Sequence, residues 1–283
     1  MNDPAPTRIV LGLQPGDAGE DCIHVASRLA MAMQAAIHAL VVEEQTLLDA
    51  AALPFTRIVA RPGQTPPEFS VATVERATTR AERRFRQALS AEAQPMRIPW
   101  SMQRERGELA QALSAFAGAA DIVMLPDARG GNLNRLVMAR VMASRVRGVV
   151  IARRENAIAG NGPGPVVVLD EGGPGGESAV ALATKLAAGM GRPLHVLVLA
   201  GSAREADVIE QRAFELTAPL RGVQLHRLPA DRGDAIMARL ASLDAALLVA
   251  SIDTPALASD AALLELQRAS GAPLLLMAAP QSP

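Results

Sequence analysis

The part of this chain best suited to chemistry is a carboxylate followed by a run of glycines. Asp170-Glu171-Gly172-Gly173-Pro174-Gly175-Gly176 comes directly after the aliphatic stretch Val166-Val167-Val168-Leu169. A strand that ends in an acid and turns through glycines into a helix presents free backbone N–H groups, which suit an anion. The run is not a Walker loop, because no Gly-Lys-Ser/Thr follows, and it does not keep the spacing of a dinucleotide fingerprint. Two readings stay open: a flexible connector, or a ligand loop built on Asp170, Gly172 and Gly173.

Other reactive groups are few and scattered. His24, His38, His195 and His226 form no H-x-x-x-H or H-E-x-x-H pair, so no helix face offers two ligands to one metal and no metal site is expected. His38 and His195 sit in strand-like stretches, where a histidine bonded within the sheet is the expected role. Gly201-Ser202 lacks the second glycine of a nucleophile elbow. Cys22, the single cysteine, excludes an internal disulfide and a cysteine-based zinc site. Its place on the apolar face of the first helix predicts a buried packing role. Lys185, the only lysine, falls on a helix position matched by Arg28 in an earlier stretch, which predicts a solvated side chain. With no paired nucleophile and base, no catalytic residue is named and a non-enzymatic protein is expected.

The elements that position these residues alternate between strand and helix. Arg8–Leu13 and Ile37–Val42 read as strands, with Cys22, Ala26, Leu29 and Met33 at helical spacing between them. Pro67 to about Ala91 reads as a long helix, Arg97–Met102 as a strand, Glu108–Phe116 as a helix and Asp121–Leu125 as a strand. Leu133–Val146 reads as a helix and Gly148–Ala152 as a strand. This βαβα order predicts an α/β fold with a mainly parallel sheet. Residues 154–165 are rich in Gly and Pro without apolar periodicity, a linker.

The alternation then repeats. Arg28-Leu29-Ala30 with Ile37-His38-Ala39-Leu40-Val41-Val42 is matched by Lys185-Leu186-Ala187 with Leu194-His195-Val196-Leu197-Val198-Leu199 at equal internal spacing. Arg106-Gly107-Glu108 is likewise matched by Arg232-Gly233-Asp234, each opening a helix that leads to a strand near Asp121 or Asp244. The expected organisation is a first domain at 7–153 with an insertion at about 43–74, a linker at 154–165, and a shorter second domain at 166–279. Within the insertion, Leu47, Leu48, Ala51, Leu53 and Phe55 form an apolar cluster, expected to pack over its own sheet or else to line an oligomer interface.

Composition bounds the function. A length of 283 residues suggests about two domains. Lys+Arg 28 against Asp+Glu 29 leaves a net charge of -1, which argues against nucleic acid as a partner. Five Phe, one Trp and no Tyr leave few rings on which bases could stack. No apolar run reaches the ~18 residues of a membrane span and no signal pattern opens the chain, so no membrane partner is expected and the expected compartment is the cytoplasm.

With the duplication, the Asp170 loop and the short last strands Gly148-Val149-Val150-Ile151 and Pro273-Leu274-Leu275-Leu276, the chain resembles the universal stress proteins of tandem two-domain type. The stretch His38-Ala39-Leu40-Val41-Val42-Glu43-Glu44, with Leu47-Leu48 and Ala52-Leu53-Pro54-Phe55 beyond it, is similar to a subgroup of bacterial members. The resemblance implies two tandem copies of a five-stranded parallel sheet flanked by helices, related to the Rossmann-like adenine nucleotide α-hydrolase folds. It also implies an internal pseudo-dimer joined through the last strands.

Members that bind ATP carry an acid after strand one and G-x2-G-x9-G-[ST] after strand four. Here the first copy has Gln14 at the acidic position and Pro126, Arg129, Ala139 and Arg140 at the motif positions, with Gly130 and Gly131 nearby. The second has Asp170, but no glycine from Ser251 to Ala262. A proline removes a donor, and side chains in place of glycines crowd a phosphate. The resemblance therefore implies a non-catalytic stress-response or regulatory protein acting by contacts with a protein partner or as a homodimer, with neither ATP nor AMP as cofactor. The alternatives are a nucleotide binder using Asp170, Gly172 and Gly173, or Gly130 and Gly131, and a nucleotide hydrolase or electron-transfer subunit of related fold.

Overall fold

The computed structural model describes residues 8–16, 19–56, 69–126, 146–152, 164–257 and 259–278. Their strands are β1 (Arg8–Leu13), β2 (Ala36–Glu44), β3 (Trp100–Gly107), β4 (Ile122–Pro126), β5 (Gly148–Ala152), β6 (Val166–Asp170), β7 (Leu194–Ala200), β8 (Val223–Pro229), β9 (Leu247–Ser251) and β10 (Leu274–Met277). Their helices are α1 (Gly19–Met33), α2 (Gln45–Ala52), α3 (Val71–Ala93), α4 (Leu109–Phe116), α5 (Gly173–Met190), α6 (Ala203–Thr217), α7 (Gly233–Leu243) and α8 (Asp260–Ser270).

The strands form one ten-stranded sheet in the order β3-β2-β1-β4-β5-β10-β9-β6-β7-β8. All pairs are parallel except β5 with β10, which run antiparallel with Val150 opposite Leu275. Each half therefore repeats the strand order of the other about a pseudo-twofold axis, and the seam lies between the last strands, as the resemblance implies. The inner strands read as continuous aliphatic runs because both faces are covered, the usual condition for parallel sheets. On one face α1, α3, α5 and α6 enclose a buried layer from Ile9 and Leu29 through Phe85 to Leu186 and Ile209; on the other, α4, α7 and α8 enclose a second, from Leu40 and Leu113 to Leu240 and Leu266. Both layers run unbroken through the two copies.

Most expected elements appear within a few residues of their sequence bounds, with three differences. The strand expected at Arg97–Met102 is Trp100–Gly107, pairing with β2 from Ile37↔Trp100 to Glu44↔Gly107. Arg97 is left-handed at φ 54°, so the chain turns there before the strand begins. The Gln-Arg-Glu-Arg run hides a strand because β3 is an edge, where charge is favoured over apolar alternation. The long helix begins at Val71 rather than Pro67, and residue 67 itself lies outside the described residues. In the insertion Leu48 and Ala51 are buried on the inner face of α2, but Leu47, Leu53 and Phe55 are exposed, Phe55 at 91%. Packing inward thus accounts for two of the five residues of that cluster. Residues 133–145 of the helix expected at Leu133–Val146 and most of the linker fall outside the described residues. Among those described, no helix is long and apolar enough to cross a membrane.

Candidate functional site

In a parallel sheet the ligand crevice opens at the carboxyl ends of the strands. In the second copy this is where β6 delivers Asp170. Asp170, Gly172 and Gly173 lie together in the turn from β6 to α5. Gly172 caps α5 at φ 77° and Gly173 follows at φ 70°, left-handed conformations that favour glycine and turn the chain sharply from strand to helix. The carboxylate faces inward, however. Asp170 is 3% exposed, and its Oδ1 accepts the Gly172 N–H at 2.9 Å, so one of the donors offered to an anion is already taken. Burial pushes the Asp170 carboxyl above its ordinary value; the Gly172 N–H acts against that rise and the Glu177 charge adds to it.

Two later glycines of the loop are closed by packing, while Gly173 stays exposed. A β-carbon at Gly176 would overlap the Asp170 carboxylate, and one at Gly175 would lie 2.5 Å from the Ser251 Oγ. Ser251 ends β9 and is buried. The turn after it is pinned by Ile252 N–H to the Met277 carbonyl at 2.9 Å, Thr254 N–H to the Ser251 carbonyl at 3.2 Å and Leu257 N–H to the Thr254 carbonyl at 2.7 Å. The β9 turn thus sits directly against the start of α5. In the first copy Gln14 follows β1 and Pro126 closes β4; Gly130, Gly131, Arg129, Ala139 and Arg140 lie outside the described residues.

The histidines are partnered within the sheet or its helices, as expected for the strand positions. His38 Nδ1 is 2.6 Å from the Ser101 Oγ on β3, and its ring stacks on Phe116 at 4.1 Å. This Ser-His contact lacks the carboxylate that would orient a catalytic imidazole: Asp121, the nearby acid, accepts from Arg8 Nε at 2.9 Å and the Gly118 N–H at 2.8 Å. Burial and the Arg8 charge lower the His38 pKa, opposed by Gln103 and Asp121. In the second copy His195 Nδ1 is 3.2 Å from His226 Nε2, and the Arg239 guanidinium lies 3.1 Å from His226 Nδ1. Both imidazoles are held below their usual pKa, by burial first and then by Arg239. Cys22 is buried in the α1 face and Lys185 is exposed, in line with their expected roles. Among the described residues, no group of three or more His, Cys, Asp or Glu could hold a metal ion.

Two features were not read from the sequence. Glu43, inside the aliphatic β2 run, is 1% exposed; its carboxylate takes Arg104 at 2.6 Å and Arg106 at 2.9 Å. Burial alone would raise its pKa, but the two guanidiniums outweigh it and hold the carboxyl below the ordinary range. The available signal was a carboxylate directly after the aliphatic run Leu40-Val41-Val42, and its partners on β3 were obscured by the misplaced strand. The second feature is an open cavity of about 420 Å³ between α4 and β3, with Leu40 and Gln103 on its floor.

No family model and no curated protein matches the sequence. Solved structures do match its fold. A universal stress protein from Archaeoglobus fulgidus DSM 4304 superposes with a TM-score of 0.66 at 11% identity, covering 96% of this chain and 98% of that one. The cytoplasmic domain of a prokaryotic cation chloride cotransporter gives 0.60 at 13% identity, over 98% and 97%. A functionally unknown protein from Pseudomonas aeruginosa PAO1 gives 0.54 at 15%, over 97% and 93%. Across both copies and the seam between them, this chain has the universal-stress-protein fold.

Proposed function

We propose that the chain is a non-catalytic regulatory protein of the stress-response type, acting through protein contacts and without ATP. The observation that carries this reading is the closed second crevice, where Asp170 is turned onto Gly172 and Ser251 stands against Gly175. A triphosphate at the carboxyl end of β6 would have to displace both contacts. Sequence supports the same reading for the first copy, where Gln14, Pro126, Arg129, Ala139 and Arg140 replace the acid and motif residues of ATP-binding members. The fold itself does not decide the matter, since one neighbour of equal coverage is a transporter domain. Exposed Leu53 and Phe55 at the end of α2 supply apolar surface for a protein contact, with another protein or with a second copy of this chain.

Calorimetry with ATP, ADP, AMP and cyclic nucleotides tests the reading. The expected result is no binding heat at about 1 mM ligand, whereas a dissociation constant near ~1 μM for any of them overturns it in favour of a nucleotide binder. Nucleotide hydrolysis above the protein-free rate would overturn the non-catalytic part separately.

A further inference from the structure

The outer edge of the second copy holds three basic side chains in mutual contact. His195 of β7 and His226 of β8 lie on the sheet face that α7 covers, and Arg239 of α7 reaches them there; all three are half-buried. His226 Nε2 is 3.2 Å from His195 Nδ1, and Arg239 Nη2 is 3.1 Å from His226 Nδ1 and 3.2 Å from its Nε2. A guanidinium only donates, so the ring nitrogen it bonds must carry no proton. With Nδ1 accepting from Arg239, a neutral His226 keeps its proton on Nε2 and donates it to a bare His195 Nδ1. The three groups then form one hydrogen-bonded chain, which needs both rings neutral. A proton added to His226 faces the guanidinium donors, and one added to His195 Nδ1 faces the His226 N–H. Either breaks a link and sets like charges side by side.

Among the described residues no carboxylate acts on either ring. On α7, Asp234 is held by Arg232 at 3.1 Å. Helices α5 and α6 cover the opposite face, where Asp207 and Glu210 hold Arg227 and Glu177 holds Arg212. Strand β6 places Val167 beside His195, with Asp170 at its far end. Asp231 after β8, Asp244 after α7, Glu265 and Arg268 of α8, and Arg192 and Arg221 ahead of the two strands leave both rings unaffected. After burial, the charges that lower their proton affinity are Arg239 and, for His226, His195 itself. His38 of the first copy differs, since Asp121 there opposes the Arg8 charge. Among the described residues, Arg239 with His226 is also the only side-chain hydrogen bonding between α7 and β8; the helix otherwise rests on apolar contacts such as those of Ile236 and Leu240.

We propose that His195, His226 and Arg239 form a pH-sensitive latch, which ties α7 to the β7–β8 edge at neutral pH and lets it open in mild acid. Freed rings take up protons near the ordinary imidazole value of about 6.5, whereas the closed cluster binds them only at lower pH. The closed form is therefore fully favoured above about pH 7 and loses ground as pH falls through about 6, by up to about tenfold for each freed ring at about pH 5.5. Opening uncovers Ile236, Leu240 and the sheet face beneath them.

Amide hydrogen exchange of the full chain at about pH 7.5 and about pH 5.5, corrected for the intrinsic pH dependence of exchange, tests the latch. Exchange over β8 and α7 should speed up about tenfold in acid, with less than about a twofold change over β6 and β9. A variant with both His195→Gln and His226→Gln should lose the acceleration, because neither side chain titrates. Arg239→Met leaves both rings in place; it should reduce the acceleration and raise both imidazole pKa values in a proton NMR titration, which a purely structural side chain would not do. The proposal is overturned if β8 and α7 exchange no faster in acid, or if β6 and β9 accelerate equally. Acceleration that survives in the glutamine variant, or imidazole titrations unmoved by Arg239→Met, would overturn it as well. If the glutamine variant does not fold, the contrast between edge and β6 in the parent and the Arg239→Met titration still decide.

Discussion

Replacing Gly189 by alanine should destabilise the whole molecule by about 2 kcal/mol, and by valine about 3 kcal/mol or more, although alanine is ordinarily the better helix residue by ~1 kcal/mol. Gly189 lies in the last turns of α5, and a β-carbon there would meet the Ala32 backbone of α1, 2.6 Å from its Cα. Ala32 and Gly189 are equivalent positions of the repeat, as Leu29 and Leu186 are, so they face each other across the pseudo-twofold axis. Only one of the two can carry a side chain at that closeness. Because both buried layers run through the two copies, the loss should appear as one cooperative transition moved to lower denaturant, with an unchanged slope. Two transitions, or a Gly189→Ala protein as stable as the parent, would mean that the copies are not locked together at this axis.

A second large effect is expected at Glu43. Glu43→Gln keeps the volume and removes the charge that Arg104 and Arg106 share. Breaking a fully buried ion pair costs about 3–5 kcal/mol, but the guanidiniums here are 32% and 54% exposed, so a loss of about 2 kcal/mol is expected at neutral pH. The pH dependence follows from the direction of the shift. The carboxyl is held below its ordinary value in the folded protein, so its stabilisation is fully present above the unfolded value of about 4.3 and is lost as pH falls through the lower folded value. The stability gap between parent and Glu43→Gln, followed by thermal unfolding, should therefore be constant from neutral pH down to about 5 and shrink below about 4. A gap that is unchanged in acid would show that the charge at Glu43 is not what holds β2 to β3 there.

How much of this was legible in the sequence depended on burial. Covered strands such as Val166–Asp170 and Leu194–Ala200 announce themselves as aliphatic runs, and the matched His38 and His195 stretches exposed the duplication. The edge strand β3 did not, since its outer positions carry Arg and Glu, and with it went the Glu43 partners and the cavity beneath α4. The Asp170 loop was singled out in the sequence, but sequence could not tell that the carboxylate would turn onto its own loop. That depends on Ser251, far along the chain, arriving against Gly175.

Amide hydrogen exchange reads directly whether the second crevice is filled by its own contacts. With about 2 mM magnesium-ATP added, exchange over Glu171–Gly176 and Ser251–Leu257 should match that of the protein alone, since a site filled by its own contacts gains no protection. A tenfold or greater slowing confined to these two segments, on the order of 1.4 kcal/mol of added protection, would contradict it and place the nucleotide where the structure sets Ser251 against α5.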